Sequence, residues 1–80
     1  MADTIQRLRA ILISTGLSRS TIYLRIAQGV FTKPVSLGGR AVGWPASEVA
    51  ALNAARIAGR SEEEIRHLVA RLEEARKVAK

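Results

Sequence analysis

Apolar positions along the chain fall into four stretches of helical spacing, interrupted once by a short alternating segment. Leu8, Ile11, Leu12 and Thr15 recur at three- and four-residue intervals and predict a first helix. Asp3-Thr4-Ile5-Gln6 reads as its capping box, with Asp3 as the cap and Gln6 as the reciprocal partner. Gly16 stops this helix, and after Leu17 the hydroxyl of Ser18 is placed to cap a second one. Gly29 ends the second helix, because glycine takes the left-handed conformation without a Cβ penalty. Two helices joined by a turn of about three residues containing glycine predict a helix-turn-helix.

The texture then changes. Pro34-Val35-Ser36-Leu37 alternates apolar with polar, Gly38-Gly39 is a hairpin turn signal, and Ala41-Val42-Gly43-Trp44 returns as a second strand. An isolated hairpin is marginal in water, so Val35, Leu37, Val42 and Trp44 are expected to pack it on the helices. Pro45 suits the first position of a third helix, with Val49 and Leu52 as its apolar stripe and Gly59 as its end. Ser61 and Glu64 form another capping box. Behind them Ile65, Leu68, Val69, Leu72 and Ala75 share one face of a fourth helix. Its acidic first turn (Glu62, Glu63, Glu64) and basic last turn (Arg76, Lys77, Lys80) both complement the helix dipole. Glu62 with Arg66, and Glu73 with Lys77, stand at ion-pairing distance of four residues. The fold class this predicts is mainly α with a small β-hairpin. It is a winged helix-turn-helix over residues 1–60 followed by an amphipathic helix over residues 61–80.

Composition narrows the chemistry. A chain of 80 residues builds only a modest core, so helix packing, self-association or a bound partner must add stability. There is no cysteine and one histidine, which excludes disulfides, thiolate sites and imidazole clusters, and no cofactor or metal is expected. No stretch approaches the roughly 18 apolar residues of a membrane span. The opening Met-Ala-Asp-Thr lacks the features of a secretory signal, so a cytoplasmic location and no membrane partner are expected. Net charge is +6, and its distribution is uneven. Residues 1–60 carry eight Lys/Arg (Arg7, Arg9, Arg19, Arg25, Lys33, Arg40, Arg56, Arg60) against Asp3 and Glu48, whereas residues 61–80 are neutral. Excess positive charge on one domain invites a polyanion, nucleic acid ahead of membrane.

The second helix carries the functional argument. At 100° per residue Ile22 and Ile26 share the face that must point to the core. The opposite face shows Ser20, Thr21, Leu24, Ala27 and Gln28, flanked by Arg19, Tyr23 and Arg25. A small, polar face with a basic rim can approach base edges in a major groove: hydroxyls reach bases or phosphates, Leu24 suits a thymine methyl, and arginines hold phosphate or guanine. An ordinary solvated face is the alternative, but such faces usually mix in acid, and residues 17–30 contain none. On the wing, Lys33, Ser36 and Arg40 face the same choice between a groove contact and plain solvation. Trp44, at a strand end beside Pro45, is read as core and not as a base-stacking ring. Tyr23 is left between a phosphate contact and a cover for the core edge. His67 is read as a solvated helix residue, and Asp3 and Glu48 as isolated acids, so no acid–base pair is found and the chain is read as a non-enzyme without a small-molecule substrate.

These residues carry a family likeness. Thr15-Gly16-Leu17-Ser18-Arg19-Ser20-Thr21-Ile22-Tyr23, Gly29-Val30-Phe31-Thr32-Lys33-Pro34-Val35, Leu37-Gly38-Gly39-Arg40-Ala41-Val42-Gly43-Trp44 and Ser47-Glu48-Val49 together resemble the AlpA family of phage and prophage regulators, over about residues 8–58. That family is similar to the excisionases and to the MerR-type winged helix-turn-helix. The resemblance implies double-stranded DNA as partner, with the second helix in the major groove and the hairpin on the adjacent groove or backbone. It implies a role as transcriptional regulator or, alternatively, as an excisionase-like factor that bends attachment-site DNA. By position it places Ser18, Arg19, Ser20, Thr21 and Tyr23 in the recognition segment and Arg40 in the wing. Two departures stand out: Thr32 occupies a position where proline is common, and Leu24-Arg25 appear in the reverse of the usual order.

A reading of another class remains beside it. The neutral fourth helix is also suited to docking on an integrase or on a second copy of the chain, with packing onto helix one or three as the simpler use of its stripe. RNA ranks below DNA, because the stacking aromatics it usually requires are missing.

Overall fold

The computed structural model describes residues 3–78. Its elements run β1 (Ile5–Gln6), α1 (Leu8–Thr15), α2 (Arg19–Ala27), β2 (Val35–Gly38), β3 (Ala41–Pro45), α3 (Ala46–Ile57) and α4 (Glu62–Val78). The architecture is a winged helix-turn-helix with an added C-terminal helix. α1 ends where Gly16 turns left-handed at φ 73°, its N–H closing on Leu12 O at 2.9 Å. Ser18 caps α2 by accepting from Thr21 N at 3.3 Å, and Gly29 follows the helix at φ 80°. The basic end expected at Lys80 lies outside the described residues.

The N-terminus departs from expectation. Ile5–Gln6 do not open α1 but form a strand, pairing antiparallel with β3 as Ile5 to Pro45 and Gln6 to Trp44. Asp3 therefore cannot cap α1, whose cap position falls to Arg7 with no side-chain bond. Asp3 instead accepts from Ser47 N at 3.2 Å and from the Ser47 hydroxyl, and so caps α3. Pro45 is the reason. It sits one position earlier than expected, as the last residue of β3 and the cap of α3, with no side-chain acceptor to offer. The free N–H groups of the first turn then draw the nearest carboxylate, which also complements the dipole.

The sheet runs β1-β3-β2, all antiparallel, with β3 central. Val35 pairs with Gly43 and Ser36 with Val42, and the register shifts between Ser36 and Gly38. Side chains alternate along a strand, and directly paired residues share a face. Val42 and Trp44 therefore point one way, and Val35 and Gly43 the other. Leu37 lies on the Gly43 side and is 42% exposed. Of the four apolar hairpin residues expected to pack on the helices, Trp44 is the one that joins the buried core, while Val35 and Val42 are half-buried and Leu37 is exposed.

Trp44 anchors the core at 0% exposure. Its ring meets Phe31 and Tyr23 edge-on, at 6.3 and 6.5 Å between centroids, and its indole N–H donates to Thr32 O at 2.9 Å. Ile11 from α1, Ile22 from α2, Val49 and Leu52 from α3, and Ile65 and Val69 from α4 complete the cluster with Val30 and Phe31. The fourth helix thus spends its stripe within the chain, chiefly against α3, although Ala75 is exposed. The Ser61–Glu64 box forms as read, with Ser61 N to Glu64 Oε1 at 2.9 Å and Glu64 N to Ser61 Oγ at 3.1 Å.

The two expected four-residue ion pairs do not form, because partners outside the helix claim the acids. Glu62 binds Arg56 at 2.6 Å and Glu73 accepts from Lys33 N at 2.8 Å, leaving Arg66 to Glu63 at 3.4 Å and Lys77 to Glu74 at 3.5 Å. Glu48 is not an isolated acid. It is buried, 4% exposed, and paired with Arg76. Among the described residues no helix is long and apolar enough to cross a membrane.

Candidate nucleic-acid interface

The outward face of α2 stands clear. Ser20, Leu24, Ala27 and Gln28 are exposed, and Thr21 is half-buried. Leu24, at 56% exposure, is a large apolar side chain left in water in the middle of that face. α4 reaches α2 at its C-terminal end, where Arg66 Nε donates to Gln28 O at 3.0 Å, and leaves the helix face open.

The hydroxyls at the start of α2 are already employed. Ser18 Oγ lies 2.9 Å from Thr21 Oγ1 and 3.3 Å from Ser20 Oγ besides accepting from Thr21 N. Ser18 is thus first a cap, and its network orients the hydroxyls of Ser20 and Thr21. One turn on, the Arg19 guanidinium stands over the Tyr23 ring, 5.9 Å from its centroid, within cation–π range. Tyr23, 39% exposed, covers the edge of Trp44 while keeping part of its ring in water. Of the two readings offered for it, the cover for the core edge is the one this packing describes.

Arg25 stands apart from this group. It is half-buried and lines a groove of about 380 Å³ with Thr15, Leu17, Asn53, Arg56 and Ile57, on the α1–α3 side. On the hairpin, Lys33 and Arg40 are exposed, Arg40 in the turn, and Ser36 Oγ accepts from Gly38 N at 3.3 Å. His67 is exposed on α4 beside Arg60, Glu64 and Arg71.

The electrostatics follow from where the acids go. The chain has seven carboxylates, and each is engaged away from the α2 face. Asp3 binds Ser47; Glu48, Glu62, Glu63, Glu64 and Glu74 pair with Arg76, Arg56, Arg66, Arg60 and Lys77; and Glu73 holds a backbone N–H. Arg19, Arg25, Lys33 and Arg40 enter no ion pair among the described residues. Three acids are held below their ordinary range by these contacts: Asp3 by the Ser47 hydroxyl, Glu62 by Arg56, and Glu64 by the Ser61 N–H. Among the described residues the cations of α2 and the hairpin are therefore left without an ion-pair partner, although Glu73 lies at the Lys33 N–H.

Sequence reasoning missed Glu48, Glu73 and Arg76. A signal existed for one of them, since Arg76 continues the spacing Ile65, Val69, Leu72 along the buried stripe, where a solvated arginine would be out of place.

A sequence profile for the family described as prophage CP4-57 regulatory protein (AlpA) matches residues 4–57. That stretch covers β1 through α3 and leaves α4 outside. The chain is also similar to a protein of Enterobacteria phage P4 named Uncharacterized protein ORF88, 62% identical over 45 residues, which are 56% of this chain and 51% of that protein. The matched stretch thus spans about half the length of the curated relative. No solved structure matches the chain. A profile that accounts for most of the chain, on a helix-turn-helix with its wing, shows that the chain belongs to the AlpA family of prophage regulatory proteins.

Proposed function

We propose that the chain binds double-stranded DNA as a phage-type regulator, with α2 in the major groove and the β2–β3 hairpin on the adjacent groove or backbone. The observation that carries this reading is the set of cations around an acid-free helix: among the described residues Arg19, Lys33 and Arg40 enter no ion pair, and residues 17–30 contain no acid. In this reading Ser20, Thr21, Leu24 and Gln28 approach base edges, where short side chains let the helix sit deep. Arg19, Lys33 and Arg40 hold phosphates, with Tyr23 beside Arg19, and Arg25 contributes from the far flank. Ser18 keeps the first turn in shape so that its backbone donors face a phosphate. Residues 1–60 supply the contacts and α4 supports them.

Titration of a fluorescent duplex at several salt concentrations tests this. Each neutralised phosphate contributes a slope of about 0.9 in log K against log salt. Lys33→Ala is expected to weaken binding to all sequences alike and to reduce the slope by about 1. Affinity that ignores salt overturns the reading.

A further inference from the structure

Three successive backbone polar groups at the start of the hairpin are each taken by a side chain, one from β3 and two from α4. Thr32 O accepts from the Trp44 indole at 2.9 Å. Lys33 N donates to Glu73 Oε2 at 2.8 Å, and Lys33 O accepts from Arg76 Nη2 at 2.7 Å. Arg76 is itself locked in place by Glu48 on α3, through bonds of 2.7 and 2.6 Å. Pro34 follows, its ring fixing its own φ and restricting Lys33 to extended backbone. With Lys33 held at both ends, little freedom remains in the direction that β2 takes.

Charge alone gives no reason for this arrangement. A carboxylate beside Lys33 opposes the binding of a polyanion, and Glu73 is the acid that touches the approach to the wing. Its bond to Lys33 N accounts for its place. β3 is braced by β1 and by Trp44 in the core, whereas β2 is the outer strand, and its entry at Lys33 is held from α4, which lies beyond the family-matched residues 4–57.

We infer that Glu73 and Arg76 are positioning residues for the wing, and that α4 sets the pose in which Lys33 and Arg40 meet the DNA backbone. The inference rests on the DNA-binding reading above.

The sign of one substitution separates positioning from plain electrostatics. Removing an acid should tighten binding to DNA if charge is all that matters. Glu74→Ala measures that effect on the same helix, since Glu74 is exposed and among the described residues pairs with Lys77 alone. Glu73→Ala is expected to weaken binding, opposite in sign to Glu74→Ala. Glu73→Gln, which keeps an oxygen for Lys33 N, is expected to restore affinity to the wild-type level or above. Arg40→Ala is expected to lower affinity about tenfold in the wild-type background. In the Glu73→Ala background its effect should shrink by at least about twofold, the smallest coupling expected of groups acting together. Measurements are made well below the unfolding temperature of each variant, so that lost stability alone does not move the affinity. Glu73→Ala binding as tightly as Glu74→Ala, or an Arg40 effect unchanged in its background, overturns the inference while leaving DNA binding intact. A wild-type chain that binds no duplex at any salt concentration overturns both.

Discussion

Arg76 on α4 clasps Glu48 on α3 with two hydrogen bonds, Nε to Oε2 at 2.7 Å and Nη2 to Oε1 at 2.6 Å. The side chains are 24% and 5% exposed respectively, so the pair is largely withdrawn from water. The bonds from Glu48 raise the Arg76 pKa further, and the guanidinium keeps its charge. Withdrawing a carboxylate from water is tolerable only while its partner remains. Arg76→Leu leaves Glu48 buried and unpaired, and is expected to destabilise the fold by about 3 kcal/mol in urea unfolding. Adding Glu48→Leu removes the orphaned charge, and the double variant should recover most of that loss.

The acid limb of stability should report Asp3. Its carboxylate is stabilised chiefly by the Ser47 hydroxyl, which lowers its pKa in the folded state. A group whose folded pKa lies below its unfolded one contributes stability at pH values above the unfolded pKa, near 4 for aspartate, and loses it as pH falls through the folded value. Asp3→Asn should be less stable at neutral pH and should decline less steeply on acidification, so that the two curves converge at low pH. Thermal unfolding across a pH series measures this. Parallel curves would mean that Asp3 does not support α3.

How far the fold was legible depends on how far apart the interacting groups lie. Ser18 with Thr21, and Ser61 with Glu64, are three residues apart, and both caps stand where the sequence placed them. Asp3 was legible as a cap but not as the cap of α3, because Ser47 lies 44 residues away. Glu48 looked isolated because Arg76 is 28 residues further on, and Glu73 looked like a partner for Lys77 because Lys33 is 40 residues back. Alternation predicted the strands, but only the register with β3 reveals that Leu37 and Trp44 lie on opposite faces. The α2 face was readable because a lone helix fixes it by periodicity. The control of the hairpin by α4 was not, since it runs entirely through contacts between elements distant in sequence.

Gly43 shows the same non-local logic. A Cβ there would overlap Ile5 Cγ2 from β1 and would lie 3.0 Å from Gln6 O and 3.3 Å from Leu37 Cδ1. Ile5 and Leu37 close over this position from the two neighbouring strands. Gly43→Ala is expected to push β1 off β3 and to destabilise the fold by about 1–3 kcal/mol, the usual range for overpacking. Faster amide exchange at Gln6 and Ala46 would locate the damage in the β1 pairing, since Ala46 N donates to Thr4 O at 2.7 Å.

Thr32 presents the opposite opportunity. It is 0% exposed and its hydroxyl has no hydrogen-bonding partner among the described residues, while its carbonyl serves Trp44. A buried hydroxyl left unpaired forfeits its hydration without return. Thr32→Val matches its volume and removes that group, and is expected to raise stability by about 1 kcal/mol. Denaturant titration should show a higher midpoint with an unchanged slope.

Leu24 on α2 and Ser18, which caps that helix, should separate stability from binding. Leu24 is 56% exposed and takes no part in the buried core cluster, and glutamate forms helix about as well as leucine. Leu24→Glu is therefore expected to change stability by no more than about 0.5 kcal/mol. In the major groove the same change sets a carboxylate among phosphates, and it should lower duplex affinity by at least about tenfold. Ser18→Ala should show the reverse balance, losing about 1 kcal/mol of stability with the cap and less of the affinity. Calorimetry and duplex titration on both variants decide the matter. If Leu24→Glu binds as wild type does, the open face of α2 is a solvated surface and the duplex seats elsewhere.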